Sequence, residues 1–236
     1  MIGRIMRKLL PCLVLLVLWY APSQADTVMT FSGSSGNLAA SATFDLDSST
    51  HTLTVLLTNT STHDVLVPTD VLTGLFFNTT HPLTPGQVTT NGSVFYGSLG
   101  DPNTGWGYKS GVSAQGKNSA ISATGAVSGL GHSDFNGTNA QLQGLDYGIL
   151  SAGDNTGTGN AGVTGHGPLI KNSVLFTLTA ADGFSLSELG TSVVFQYGTD
   201  LSETHYTGTV TTPEPSSLLV FGSAIGWLGF ALRRYL

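Results

Sequence analysis

Two neighbouring runs, Leu38 to Leu46 and Thr52 to Asn59, alternate small or polar residues with apolar ones. A period of two puts every second side chain on the same face of a strand. Asp47-Ser48-Ser49-Thr50 between them is a turn-forming cluster, so the pair reads as a β-hairpin. The texture recurs at Val71 to Phe77, Val94 to Tyr96, Val174 to Ala180, Val193 to Tyr197 and Tyr206 to Val210, where Thr, β-branched and aromatic residues dominate. Only Leu186-Ser187-Glu188-Leu189 suggests a helical turn, and it is too short to organise a domain. The predicted class is all-β: an antiparallel β-sandwich, Ig-like or jelly-roll-like.

The middle of the chain has a different composition. From Gly97 to Gly167 it is dense in Gly, Ser, Asn and Thr, with Leu145 to Leu150 as the one short apolar run. A structureless loop of that length is uncommon in a compact domain, so short strands with Gly-rich turns are expected, with looser loops around Asp154 to Gly167.

The charges are distributed unevenly. Of 8 basic residues, Arg4, Arg7, Lys8, Arg233 and Arg234 lie near the ends, leaving Lys109, Lys117 and Lys171 between Asp26 and Thr212. All acidic residues except Glu214 lie in that same stretch, 13 of the 14, so it carries a formal charge of −10. A segment this acidic repels phosphate backbones, and nucleic acid is not an expected partner. Its stability must come from an apolar core, because the single Cys, Cys12, precedes it.

Both ends read as targeting segments. Arg4, Arg7 and Lys8, then the apolar run Leu9 to Leu18, then Ser23-Gln24-Ala25 before Asp26, make a secretory signal peptide over residues 1–25 with cleavage between Ala25 and Asp26. At the other end, Pro213-Glu214-Pro215 is followed by the apolar run Leu218 to Leu232 and by Arg233-Arg234. That run would be about 22 Å long as a helix, short of a hydrocarbon core of roughly 30 Å. The prolines hold the backbone extended, Glu214 stays in water, and Arg233 and Arg234 are expected on the cytoplasmic side. The domain plan is therefore a signal peptide (1–25), a secreted β domain (26–212) and a C-terminal membrane-held segment (213–236).

The arrangement Pro213-Glu214-Pro215, apolar run, Arg233-Arg234 resembles the PEP-CTERM sorting signal of exosortase-dependent proteins from Gram-negative bacteria. The stretches Phe31 to Phe44, Leu57 to Ser61 and Val67 to Phe77 resemble a group of exosortase-dependent surface proteins. The resemblance implies a substrate of an exosortase, held transiently at the inner membrane and then displayed at the cell surface or released. The host would make extracellular polysaccharide, and the Ser- and Thr-rich surface would be hydrated and O-glycosylated.

Motifs for catalysis are absent. His51, His63, His81, His132, His166 and His205 are scattered outside any H-E-x-x-H or H-x-x-E-H arrangement, and His132-Ser133-Asp134 is adjacency rather than a triad. Asp101 and Asn103, and Asp134 and Asn136, supply hard oxygens of the kind calcium takes, but Asx-Gly clusters also form turns without metal, which is the favoured reading. Trp106 and Tyr108 could stack on sugar rings if exposed, or anchor a loop to the core, which is favoured. The sequence thus points to a non-enzymatic surface or matrix protein of the biofilm type without a cofactor. A carbohydrate-binding module requires Trp106 or Tyr108 at the surface, and an extracellular hydrolase requires a cleft holding a histidine against a carboxylate.

Overall fold

A computed structural model describes residues 27–98, 100–123, 133–135, 145–165 and 167–211. The protein is all-β. The chain forms β1 (Thr27–Ser35), β2 (Leu38–Asp47), β3 (Thr52–Asn59), β4 (Leu72–Phe77), β5 (Leu83–Thr90) and β6 (Val94–Phe95). It continues through β7 (Gly107–Ala114), β8 (Lys117–Ser122), β9 (Ser133–Asp134), β10 (Ile149–Leu150) and β11 (Leu169–Lys171), then β12 (Ser173–Ala180), β13 (Ser192–Tyr197) and β14 (His205–Thr211).

These strands make one sheet with the order β5-β12-β3-β2-β1-β14-β13-β4-β10-β11-β6. The sheet forks at β4, whose residues Gly74 to Phe77 pair with β8 while Leu72 pairs with Ile149 of β10. β8 carries β7, and β7 carries β9. One pair departs from the antiparallel expectation: β10 and β11 run parallel, so the sheet is mixed. The reason is the long connection from Leu150 to Leu169, which returns the chain to the end of the sheet where β10 began.

The sequence alternation is realised in the packing. Along β2 and β3 every second residue is buried, with Ala40, Ala42, Phe44 and Leu46 beside Leu53, Val55 and Leu57. The tight turns follow from residue type. Gly36 sits at φ +59 in the two-residue turn before Leu38, and Gln115-Gly116 have φ +54 and +68, the mirror-image turn that matches strand twist between β7 and β8.

The sheet curls over its own core. Phe44 on β2 and Phe77 on β4 are four strands apart along the sheet, which would be about 19 Å if it were flat. Their rings instead meet edge to face with centroids 5.4 Å apart. Phe176 on β12 likewise meets Trp106 at 4.9 Å, beyond the opposite reach of the sheet. These contacts join both ends of the strand order in one apolar cluster.

The exposed edge β5 is protected against further pairing. It carries Pro85 and a register shift opposite Thr177 and Leu178, and the Val88 amide donates to Asn103 Oδ1 at 2.7 Å.

Candidate functional site

The strand registers give the domain two ends. Thr30 pairs with Thr211 and Thr27 with Leu46, so β1 begins where β14 stops and where β2 turns into β3. This end also holds the Gln115-Gly116 turn and the segment after Ala180, because Ala180 pairs with Leu83 and Thr179 with Thr52. The opposite end gathers the Gly36-Asn37 turn, residues 60–71, residues 151–165 and residues 167–168. Ala25, Asp26, Pro213, Glu214, Pro215, Arg233 and Arg234 lie outside the described residues. Among the described residues no helix is long and apolar enough to cross a membrane.

At the far end two aspartates clasp two loops. The Val65 amide donates to Asp154 Oδ1 at 3.0 Å, and the Asn155 amide donates to Asp64 Oδ1 at 2.8 Å. Thr158 Oγ1 donates to Asp64 Oδ2 at 2.6 Å, and Lys171 Nζ donates to the Asp154 carbonyl at 2.6 Å. Asp154 is only 6% exposed, and its Oδ2 is buried without a donor. Burial pushes the Asp154 carboxyl up. The Asp64 carboxylate pushes the same way, against the Val65 amide and the Lys171 charge. Asp64 moves down, first through the Thr158 hydroxyl and then the Asn155 amide. The pair can therefore share a proton, with Asp154 as its holder. The stretch from Asp154, expected to be looser, is loop but is tied down by this network and by a helical turn over Ala161–Thr164 capped by Asn160.

Beside the clasp, Asp70 Oδ2 accepts the Leu66 and Val67 amides at 3.1 and 3.2 Å. The side chains of Leu66 and Val67 are left exposed. The adjoining cleft, lined by Asn37, Ser61, His63, Asp64 and Ser151, holds about 80 Å³. Small-molecule sites run from roughly 300 Å³ upward, so this one has room for ordered water only.

Two histidines do meet carboxylates, both at the near end. His81 Nδ1 lies 2.6 Å from Glu188 Oε1, and His51 Nδ1 lies 3.0 Å from Asp182 Oδ1. Glu188 is fully committed: its Oε2 accepts the Thr80 amide and hydroxyl at 2.7 Å each and the His81 amide at 3.0 Å. These bonds, led by the Thr80 hydroxyl, overcome the upward push of burial and bring its pKa to about 2. The pair ties the β4–β5 connection to the 3-10 turn Leu186–Leu189. His51 and Asp182 form an exposed pair beside a cleft of about 100 Å³, again smaller than a substrate site.

The aromatic candidates are core residues. Trp106 is fully buried against Phe176, and Tyr108 is buried and stacked on Phe77. Neither offers a ring to a sugar, which removes the surface platform a carbohydrate-binding module would need there. They are buried because the curl of the sheet lowers β12 and β4 onto the segment that holds them.

Of the calcium candidates, the side chains of Asp101 and Asn103 are described and are engaged within the protein. Asp101 Oδ1 accepts from the Asn103 amide and from Asn103 Nδ2, which caps the helical turn Pro102–Gly105, and Asn103 Oδ1 is spent on the edge strand. Of Asp134 only the backbone pairing with Gly107 is described, and Asn136 and His132 lie outside the described residues. Among the described residues no group of three or more His, Cys, Asp or Glu side chains is placed to hold a metal.

The clasp residues Asp64, Asp154 and Lys171 carry no motif in sequence, since far-apart loops bring them together. Glu188 was legible: Ser185-Leu186-Ser187-Glu188 is a capping-box pattern, and Glu188 Oε1 accepts the Ser185 amide. No protein-family model, no curated protein and no solved structure matches the chain.

Proposed function

We propose that this chain is a non-enzymatic secreted surface or extracellular-matrix protein. An exosortase sorts and processes it at Pro213-Glu214-Pro215, and it associates with exopolysaccharide. Residues 1–25 export it, residues 26–212 form a β-sandwich through the curl of the sheet, and residues 213–236 hold the precursor at the inner membrane with Arg233 and Arg234 on the cytoplasmic side.

One observation carries the reading: β1 and β14 pair antiparallel, with Thr30 opposite Thr211. The two ends of the folded domain thus leave it side by side, next to the signal-peptide junction on one strand and the Pro-Glu-Pro on the other. A domain attached in this way hangs from a membrane by one end and turns its far-end loops outward. Cleavage after β14 releases it without disturbing the sheet, because the last described strand is already paired on both sides.

Intact-mass measurement of the surface form tests this. A start at Asp26 and loss of the segment after Pro-Glu-Pro are expected. Glu214→Ala should leave unprocessed protein at the inner membrane. Peptides from Trp227 to Leu236 in the surface form, or normal processing of Glu214→Ala, would refute the reading.

A further inference from the structure

The outer face of the sheet on β14, β1, β2, β3, β12 and β5 is a lattice of hydroxyls. One row across the strands reads Thr211, Thr30, Thr43, Leu56, Leu175 and Thr89, each opposite the next. The row beside it runs Asp45, Thr54, Thr177 and Gln87. All of these side chains lie opposite in parity to the buried Phe31, Phe44, Val55 and Phe176, and all are partly or fully exposed. Thr30 and Thr43 join through their hydroxyls at 3.0 Å, and Thr211 Oγ1 donates to the Thr30 carbonyl at 3.2 Å, so three neighbours of the row are linked.

Strand spacing puts neighbouring hydroxyls about 4.8 Å apart across the sheet and rows about 6.8 Å apart along it. Each hydroxyl both donates and accepts. Leu56 and Leu175 put a small apolar step in the middle of the row. The face has no Lys or Arg, since Lys109, Lys117 and Lys171 all lie on other strands, while Asp45 and Asp47 line its turn end and His205 sits at the opposite end of β14.

We infer that this face binds a neutral, extended polysaccharide laid across the strands, an inference that rests on the exopolysaccharide association proposed above. The strand repeat is on the scale of one pyranose unit, so successive sugars meet successive hydroxyl columns, and the C–H faces of the sugars cover Leu56 and Leu175. Uronate or sulfated chains are turned away by Asp45, Asp47 and the charge of −10, with no Lys or Arg on the face to offset them. With no aromatic ring on the face, each sugar contributes little and binding depends on many contacts along one chain.

The test is affinity electrophoresis of the full-length protein in detergent, through gels holding either a neutral β-glucan or alginate. Retardation by β-glucan and none by alginate is expected. Thr43→Val, Thr54→Val and Thr177→Val together keep the β-branched shape and remove three hydroxyls. They should weaken the β-glucan interaction at least tenfold with an unchanged melting temperature. Equal mobility with and without β-glucan, equal retardation by alginate, or undiminished retardation of the folded triple variant would overturn the inference. If the triple variant melts early, single substitutions that keep the native melting temperature decide by the same readout. Processing at Pro-Glu-Pro is scored separately, so a correctly processed protein that ignores β-glucan removes this inference alone.

Discussion

Asp64 and Asp154 each accept a hydrogen bond from the amide that follows the other, Asn155 for Asp64 and Val65 for Asp154. The reciprocal staple turns two carboxyls toward one another in a site where Asp154 Oδ2 has no donor. A proton on Asp154 supplies the missing donor, and Asp64 is the acceptor beside it.

The pH dependence follows from the two opposite shifts. Between 3.8 and its raised folded value Asp154 holds a proton in the folded chain that the unfolded chain has released, so this group's contribution is lost as pH rises through that raised value. Asp64 is lowered, and its contribution is present above 3.8 and lost as pH falls. Asp154→Asn keeps an acceptor for Val65 and a donor toward Asp64 without titrating. It should remove the decline in melting temperature that wild type shows as pH rises from 3.8 through the raised Asp154 value, and above that value melt about 2–4 °C higher than wild type, as about 1 kcal/mol does in a chain of this size. Equal pH slopes in wild type and variant, measured by thermal melts, would count against a shared proton.

Glu188 should govern the acid limb. Its folded pKa of about 2 lies below the ordinary 4.5, so its contribution is complete above 4.5 and disappears as pH falls toward 2. Glu188→Ala strips acceptors from Thr80, His81 and Ser185 and should cost about 2 kcal/mol at pH 7. The deficit should shrink on acidification, and a deficit that stays constant to pH 2 would mean the carboxylate charge is not its source.

Trp106 is the only Trp between Asp26 and Thr212, so fluorescence of the processed protein reports it alone. Burial against Phe176 predicts blue-shifted emission and poor quenching by iodide. Its Nε1 has no hydrogen-bond partner, so Trp106→Phe should cost only about 1 kcal/mol, whereas Trp106→Ala opens a cavity costing about 3–5 kcal/mol. Strong quenching, or equal costs for the two substitutions measured by denaturant unfolding, would contradict the core placement.

Salt and divalent ions separate turns from metal loops. Screening of the −10 charge should raise the melting temperature between about 0.01 M and 0.1 M sodium chloride, as the Debye length falls from about 30 to about 10 Å. Calcium and magnesium should then act alike at matched ionic strength. Asp101→Ala should cost about 1 kcal/mol as a lost cap, with or without calcium. A calcium-specific shift abolished by Asp101→Ala would make that loop a metal site.

The all-β class, the hairpin of β2 and β3, and the inward and outward faces of its strands were legible in the chain, because alternation is a local property of an extended backbone. The helical turn at Leu186–Leu189 was legible for a different local reason, the capping box of Ser185 and Glu188. β5 was hidden by its Pro85-Gly86, which an edge strand tolerates and a central one does not. β7 was hidden by Gly107 and Gly111, since its pairing partner β8, rather than its own propensity, holds it extended. The curl of the sheet decided the rest. It brings Phe44 to Phe77 and buries Trp106 where sequence allowed a surface ring, and loop closure at the far end brings Asp64 to Asp154. Such contacts depend on how strands distant in sequence are ordered and bent. A residue's neighbours along the chain carry no record of that geometry.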